Sequence, residues 1–122
     1  MINWQEIQYF NRDEFKYAPG IEPDRSLVYM IDSARRIATA NAGRDVVFNI
    51  TSALRERHAG DTGTHTTGHA VDIACSSSRE RYYILEALIL AGFKRIGVYD
   101  KHLHADTAPY ADQSVIWWDV SR

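Results

Sequence analysis

The chain has 122 residues, is 45% hydrophobic and 25% charged, and carries a formal net charge of -2. These values describe one ordinary globular domain spanning residues 1–122 and exclude a disordered chain. The near-neutral charge argues against a dedicated nucleic-acid partner, and no stretch approaches the roughly 20 apolar residues of a membrane span.

Met1 to Phe10 lacks the basic start and apolar run of a signal peptide, so the expectation is synthesis in the cytoplasm. The single cysteine, Cys75, cannot form an intrachain disulfide and reads as a small buried residue after a strand. In chain order, Asn11 is an N-cap for a short helix through Asp13, Glu14 and Phe15. Pro19, Gly20 and Pro23 mark a loop. A helix is predicted from about Asp24 to Ala42, with Leu27, Ile31, Ala34 and Ala38 at helical spacing and Gly43 as its stop. Val46, Val47, Phe48 and Ile50 read as a strand. Thr51 to Gly68 is polar, contains glycine and has no apolar period; so long an irregular stretch in a small domain is usually functional or disordered. Residues 70–74 read as a short strand. Ser77 and Glu80 form a capping box for a second helix ending near Gly92. Arg95 to Tyr99 and His102 to Asp106 read as two short strands around a turn at Asp100-Lys101, and Val115 to Trp118 as a last strand. The fold class is α+β: two main helices on a small, mostly antiparallel sheet.

Three residues stand out by placement. His65 closes the polar stretch and Asp72 lies in the strand that follows. Strand side chains alternate, so if Val71 and Ile73 face a core, Asp72 faces away from it. In His102-Leu103-His104-Ala105-Asp106 the same alternation sets His102, His104 and Asp106 on one face. Imidazole nitrogen and carboxylate oxygen suit zinc, and two histidines with one acid leave a fourth position for water, as catalytic zinc sites do. Without a cysteine framework, a closed structural zinc site is disfavoured.

The segment Thr64-His65-Thr66-Thr67-Gly68-His69-Ala70-Val71-Asp72-Ile73 resembles the Ser-x-His-x-x-Gly-x-Ala-x-Asp signature of the D-alanyl-D-alanine metallopeptidase family, whose relatives include lysostaphin-type peptidases and the hedgehog signalling domain. His104-Ala105-Asp106 resembles the second motif of that family. The resemblance implies zinc ligands at His65, Asp72 and His104. Ile50 to Arg55 resembles the Ser-Gly-Tyr-Arg segment, which implies that Arg55 binds substrate or steadies its oxyanion; a guanidinium can do either. Gly92 to Tyr99 and Tyr9 to Phe15 resemble segments of the phage-type branch, so the likeness covers most of the chain.

Ala53 stands for the usual Gly. Many relatives carry an acid/base carboxylate three residues before the last ligand, where this chain has Lys101. Asp100 is therefore the candidate general base. His102 is its rival, and Asp106 is either a further rival or an orienting partner of a ligand histidine. His69, inside the first motif, is read as structural; His58 has no motif support. Trp4, Trp117 and Trp118 are read as core or lid residues rather than groove residues.

The resemblance thus implies a hedgehog/D-Ala-D-Ala-peptidase-like zinc hydrolase. Its substrate would be the peptidoglycan stem peptide, cut as a D-Ala-D-Ala carboxypeptidase or an L-Ala-D-Glu endopeptidase. The expected setting is a phage or prophage endolysin or a virion-associated lysin acting on the cell wall. A lysis role would require a separate holin-type delivery partner. The rival expectation is a non-catalytic metal-binding or structural virion module of the same fold.

Overall fold

The computed structural model describes residues 2–15, 20–52 and 68–119. Single 3₁₀ turns at Trp4–Glu6 and Arg12–Glu14 open the chain. Asn11 caps the second through a reciprocal box with Glu14, as its position predicts.

Helix α1 spans Arg25–Ala42, with Asp24 as N-cap and Gly43 as a left-handed C-cap. The predicted spacing is its packing stripe: Leu27, Ile31, Ala34 and Ala38 are all fully buried. Each buried leucine or isoleucine contributes about 1.5–3 kcal/mol. Helix α2 spans Ser78–Leu90 and packs along α1, burying Ile84, Ala87 and Leu88. Its predicted capping box forms by half. The Ser77 hydroxyl accepts from the Glu80 backbone N–H at 3.4 Å, while the Glu80 carboxylate pairs with Arg44 instead. Among the described residues no helix is long and apolar enough to cross a membrane.

Five strands form one sheet: β1 (Asn49–Ser52), β2 (Ala70–Ala74), β3 (Arg95–Tyr99), β4 (His102–Asp106) and β5 (Val115–Asp119), in the order β1-β2-β4-β3-β5. Three pairings are antiparallel and the β3–β5 pairing is parallel. The architecture is α+β, two helices with a mostly antiparallel sheet, as expected. The first strand starts later than its composition suggests. Val46 and Phe48 are buried in the core, but pairing begins at Asn49 opposite Ala74. Apolar alternation reports burial, and a strand needs a partner as well.

Alternation divides the sheet chemically. Val71 and Ile73 of β2, Leu103 and Ala105 of β4, and Ile96 of β3 join the helices in the core. Asp72, His104, Asp106, Arg95 and Tyr99 therefore fall on the opposite face. β3 and β4 are joined by the two-residue turn Asp100-Lys101. Arg81 of α2 clamps that turn by donating to the carbonyls of Tyr99 (2.6 Å), Asp100 (2.6 Å) and Cys75 (3.3 Å).

Candidate metal centre

Register brings the two motifs together. Asp72 lies directly opposite His104 across the antiparallel β2–β4 ladder, and Gly97 flanks His104 on the other side. Cross-strand neighbours on one face are near enough for their side chains to interact. Asp72 Oδ1 is 3.2 Å from His104 Nδ1. The other ring nitrogen, Nε2, is 2.6 Å from Asp106 Oδ2. Asp106 is committed further: its Oδ1 accepts from Arg95 Nε at 2.7 Å and from the Ala108 backbone N–H at 3.2 Å.

All four groups are removed from water: Asp72 is 3% exposed, His104 4%, Arg95 5% and Asp106 1%. A charge buried this far must be matched by partners. Arg95 balances one carboxylate. Burial pushes the His104 pKa down, but the hydrogen bonds to Asp106 and Asp72 outweigh it and hold the pKa above its ordinary value of 6.5. The place between Asp72 and His104 Nδ1 thus favours a cation, and a proton is the simplest one.

The donor set also suits zinc. Tetrahedral zinc with bonds of about 2.0–2.1 Å sets its ligand atoms about 3.3 Å apart, and Asp72 Oδ1 and His104 Nδ1 stand 3.2 Å apart. Metal-binding histidines commonly donate their second ring nitrogen to a carboxylate, which is how Nε2 meets Asp106. A metal held here would be bound through Nδ1. Among the described residues no three His, Cys, Asp or Glu side chains are grouped to hold a metal by themselves. The third expected ligand, His65, and the expected substrate residue Arg55 lie outside the described residues, as does His58.

The candidate bases are placed differently. His102 is half-buried on the site face, its Nε2 3.9 Å from Asp72 Oδ2. Asp100 sits at the exposed hairpin turn; its carbonyl is held by Arg81, and its carboxylate makes no hydrogen bond or ion pair among the described residues. Both oxygens of Asp106 are taken, which suits an orienting role.

His69 stands outside this centre. Its Nε2 is 3.9 Å from Asp24 Oδ1, and its ring meets Tyr110 edge-on. Thr107 donates to the same Asp24 at 2.7 Å, and Asp24 N–H donates to the Gly68 carbonyl at 2.8 Å. Gly68 has φ +78, and a Cβ there would lie 2.2 Å from the Glu22 carbonyl oxygen. This joint ties the entrance of β2 to the start of α1.

Several neighbours of the centre carried no recognisable sequence signal. Tyr99, Trp117 and Arg95 line it. Trp117 was expected as core or lid; it is half-buried, with its ring 5.4 Å from the His104 ring. The expectation fits Trp4, which packs on the core at Phe15. It does not fit Trp118, which is 74% exposed. β5 runs parallel to β3 in the register Gly97–Trp117, and that pairing is what carries Trp117 to the site.

A scan against protein-family models finds no match to this chain, and searches of curated proteins and of solved structures find none either. The functional reading therefore rests on the motifs and on this geometry.

Proposed function

We propose that this chain is a zinc-dependent peptidase acting on peptidoglycan stem peptides, of the D-alanyl-D-alanine metallopeptidase type, with the hedgehog-like form of the α+β fold. The observation that carries the reading is the opposition of Asp72 Oδ1 and His104 Nδ1 at 3.2 Å, with His104 Nε2 fixed by Asp106. Two motifs 32 residues apart in sequence meet there with donor atoms at a ligand-to-ligand spacing.

In this reading His65, Asp72 and His104 hold the zinc. When bound, zinc supplies Lewis acidity, lowering the pKa of water and polarising the scissile carbonyl. Asp106, anchored by Arg95, keeps Nε2 of His104 protonated and Nδ1 available. His102, whose Nε2 lies 3.9 Å from Asp72 Oδ2, holds and passes the proton at its Nε2. Asp100 is the rival for that role, at the end of the same hairpin. Arg55 pairs with a substrate carboxylate or with the developing oxyanion. The phage or virion setting and the need for a delivery partner follow from the resemblance.

The test is metal content measured together with muropeptide release. Purified protein would be analysed for zinc, then incubated with isolated peptidoglycan with and without a chelator, and the products identified by mass. About one zinc per chain with chelator-sensitive release of stem fragments is the expected result, and the fragments name the bond. Failure to hold zinc after supply would sink the ligand assignment.

A second reading, a metal-binding module without turnover, is favoured by one feature. Lys101 occupies the position where relatives carry the acid/base carboxylate, and Asp100 beside it points its carboxylate to no described partner. Zinc retained with no release from any wall preparation would select this reading.

A further inference from the structure

Residues alternate along β3, so Arg95, Gly97 and Tyr99 share the site face, and the parallel pairing sets Trp117 beside Gly97. Gly97 has no Cβ to hold the neighbouring rings away. A Cβ there would lie 2.8 Å from both the Trp117 indole and the Tyr99 ring. The two rings occupy that space and engage each other: Trp117 Nε1–H donates to the Tyr99 hydroxyl at 2.9 Å. On its far side the Tyr99 ring stacks on the His102 imidazole, with centroids 4.5 Å apart and planes within 9°. On the near side the Arg95 guanidinium lies 5.2 Å from the Trp117 ring centroid.

Arg95 is therefore the root of two chains. Through its Nε it fixes Asp106 and hence the His104 ring. Through its face it backs Trp117, then Tyr99, then the His102 ring. Near-parallel stacking leaves an imidazole free to slide yet resists tilting, so it sets the ring plane while a polar contact sets the position within it. Asp72 Oδ2 lies 3.9 Å from His102 Nε2, an ion-pair approach rather than a hydrogen bond.

We infer that Tyr99 and Trp117 are positioning residues that hold the His102 imidazole in the orientation its proton-transfer role requires, with the Tyr99 ring as the direct support and Trp117 as its brace. The consequence for turnover rests on the peptidase reading; the orientation itself does not.

Two measurements test it separately. In isotope-labelled, zinc-supplied protein the ring C–H resonances of His102 should be displaced upfield by the Tyr99 ring current. Tyr99→Leu should remove that displacement, and Tyr99→Phe, which keeps the ring, should retain it. An undisplaced His102 signal in the unaltered protein, or one indifferent to Tyr99→Leu, would overturn the inference whether or not the protein cleaves anything.

On muropeptide, Tyr99→Leu should lower kcat by roughly 10- to 100-fold with KM and zinc content kept. Tyr99→Phe should rescue most of it, and Trp117→Phe should fall between. In a His102→Ala background Tyr99→Leu should cause no further loss. An equal loss in both backgrounds, or a rise in KM alone, would show that Tyr99 acts by some route other than His102. Absence of release from the unaltered protein would count against the peptidase reading and leave the resonance measurement to decide the stack.

Discussion

Toward α1 and α2, β2 and β4 present Val71, Ile73, Leu103 and Ala105, all fully buried among other apolar side chains. The residues between them, Asp72, His104 and Asp106, are nearly as inaccessible, yet they bond to one another and to Arg95. The same strands, at the same depth, thus carry two kinds of interior. On the apolar side each side chain contributes by the area it removes from water, and its neighbours can adjust when it is trimmed. On the polar side each group is tolerable only because a specific partner matches it. Removing one member of an apolar face costs the burial it contributed plus the cavity that its neighbours only partly close. Removing one member of a charged network also strands what remains.

The largest expected effect follows from that asymmetry. Arg95→Met keeps volume but leaves Asp106 buried without its cation. Breaking a buried pair in this way costs about 3–5 kcal/mol, to be read from denaturant unfolding. On the proposed zinc reading, zinc retention should fall as well, because Asp106 loses the anchor through which it orients His104. Next is Leu103→Ala, one residue from His104 but on the other face. Its loss should be about 2–5 kcal/mol, by lost burial and a residual cavity, with zinc retained in the folded protein. If Leu103→Ala released zinc as readily as Arg95→Met, the two faces would not be separable and the comparison would fail.

A smaller effect sharpens the distinction. Asp106→Asn removes the anion that matches Arg95 but keeps the shape and an acceptor for Arg95 Nε. Stability should therefore fall, by less than with Arg95→Met, which removes both charge and hydrogen bond. The lost charge of Asp106 should weaken zinc binding by about 10- to 100-fold, the usual consequence of altering a carboxylate behind a ligand histidine. Competition with a chromophoric chelator measures this directly. Unchanged zinc affinity would remove Asp106 from the orienting role and return it to the candidate bases.

Much of the apolar side was legible in the sequence because it obeys periodicity. Leu27, Ile31, Ala34 and Ala38 declared the stripe of α1, and Val71, Ile73, Leu103 and Ala105 declared the inner faces of β2 and β4. The polar side was legible at Asp72, His102 and His104, where motif and alternation agreed. It was opaque at Tyr99, Arg95 and Trp117. Arg95 looks like any surface arginine until its partner Asp106 is known to sit opposite it in the β3–β4 register. Trp117 reaches the site by a parallel pairing of β5 with β3, a contact between segments that no local pattern announces. Its neighbour Trp118, one residue on, is turned the other way and is exposed. Val46 to Phe48 show the converse limit: apolar alternation there signalled burial, and the ladder began only at Asn49.

The smallest effect separates the faces by pH. In metal-free protein, burial lowers the His104 pKa but the hydrogen bonds to Asp106 and Asp72 outweigh it and raise the folded value above the ordinary 6.5. A raised pKa means that the folded state binds this proton more tightly than the unfolded chain does. The stabilisation is therefore complete below about pH 6.5 and is lost as pH rises through the folded value. Unfolding curves of the stripped protein should show stability falling over that interval. The apolar face contributes no titrating group, so Leu103→Ala should be less stable throughout but keep the same slope. Asp106→Asn weakens one of the bonds that raise the pKa and should flatten the slope. On the proposed zinc reading, zinc would take the same Nδ1 as the proton, so saturation with zinc should abolish this part of the slope and leave stability higher at the alkaline end. A slope that is unaffected by both Asp106→Asn and zinc would mean that the charge between Asp72 and His104 is not what the polar face is built to hold.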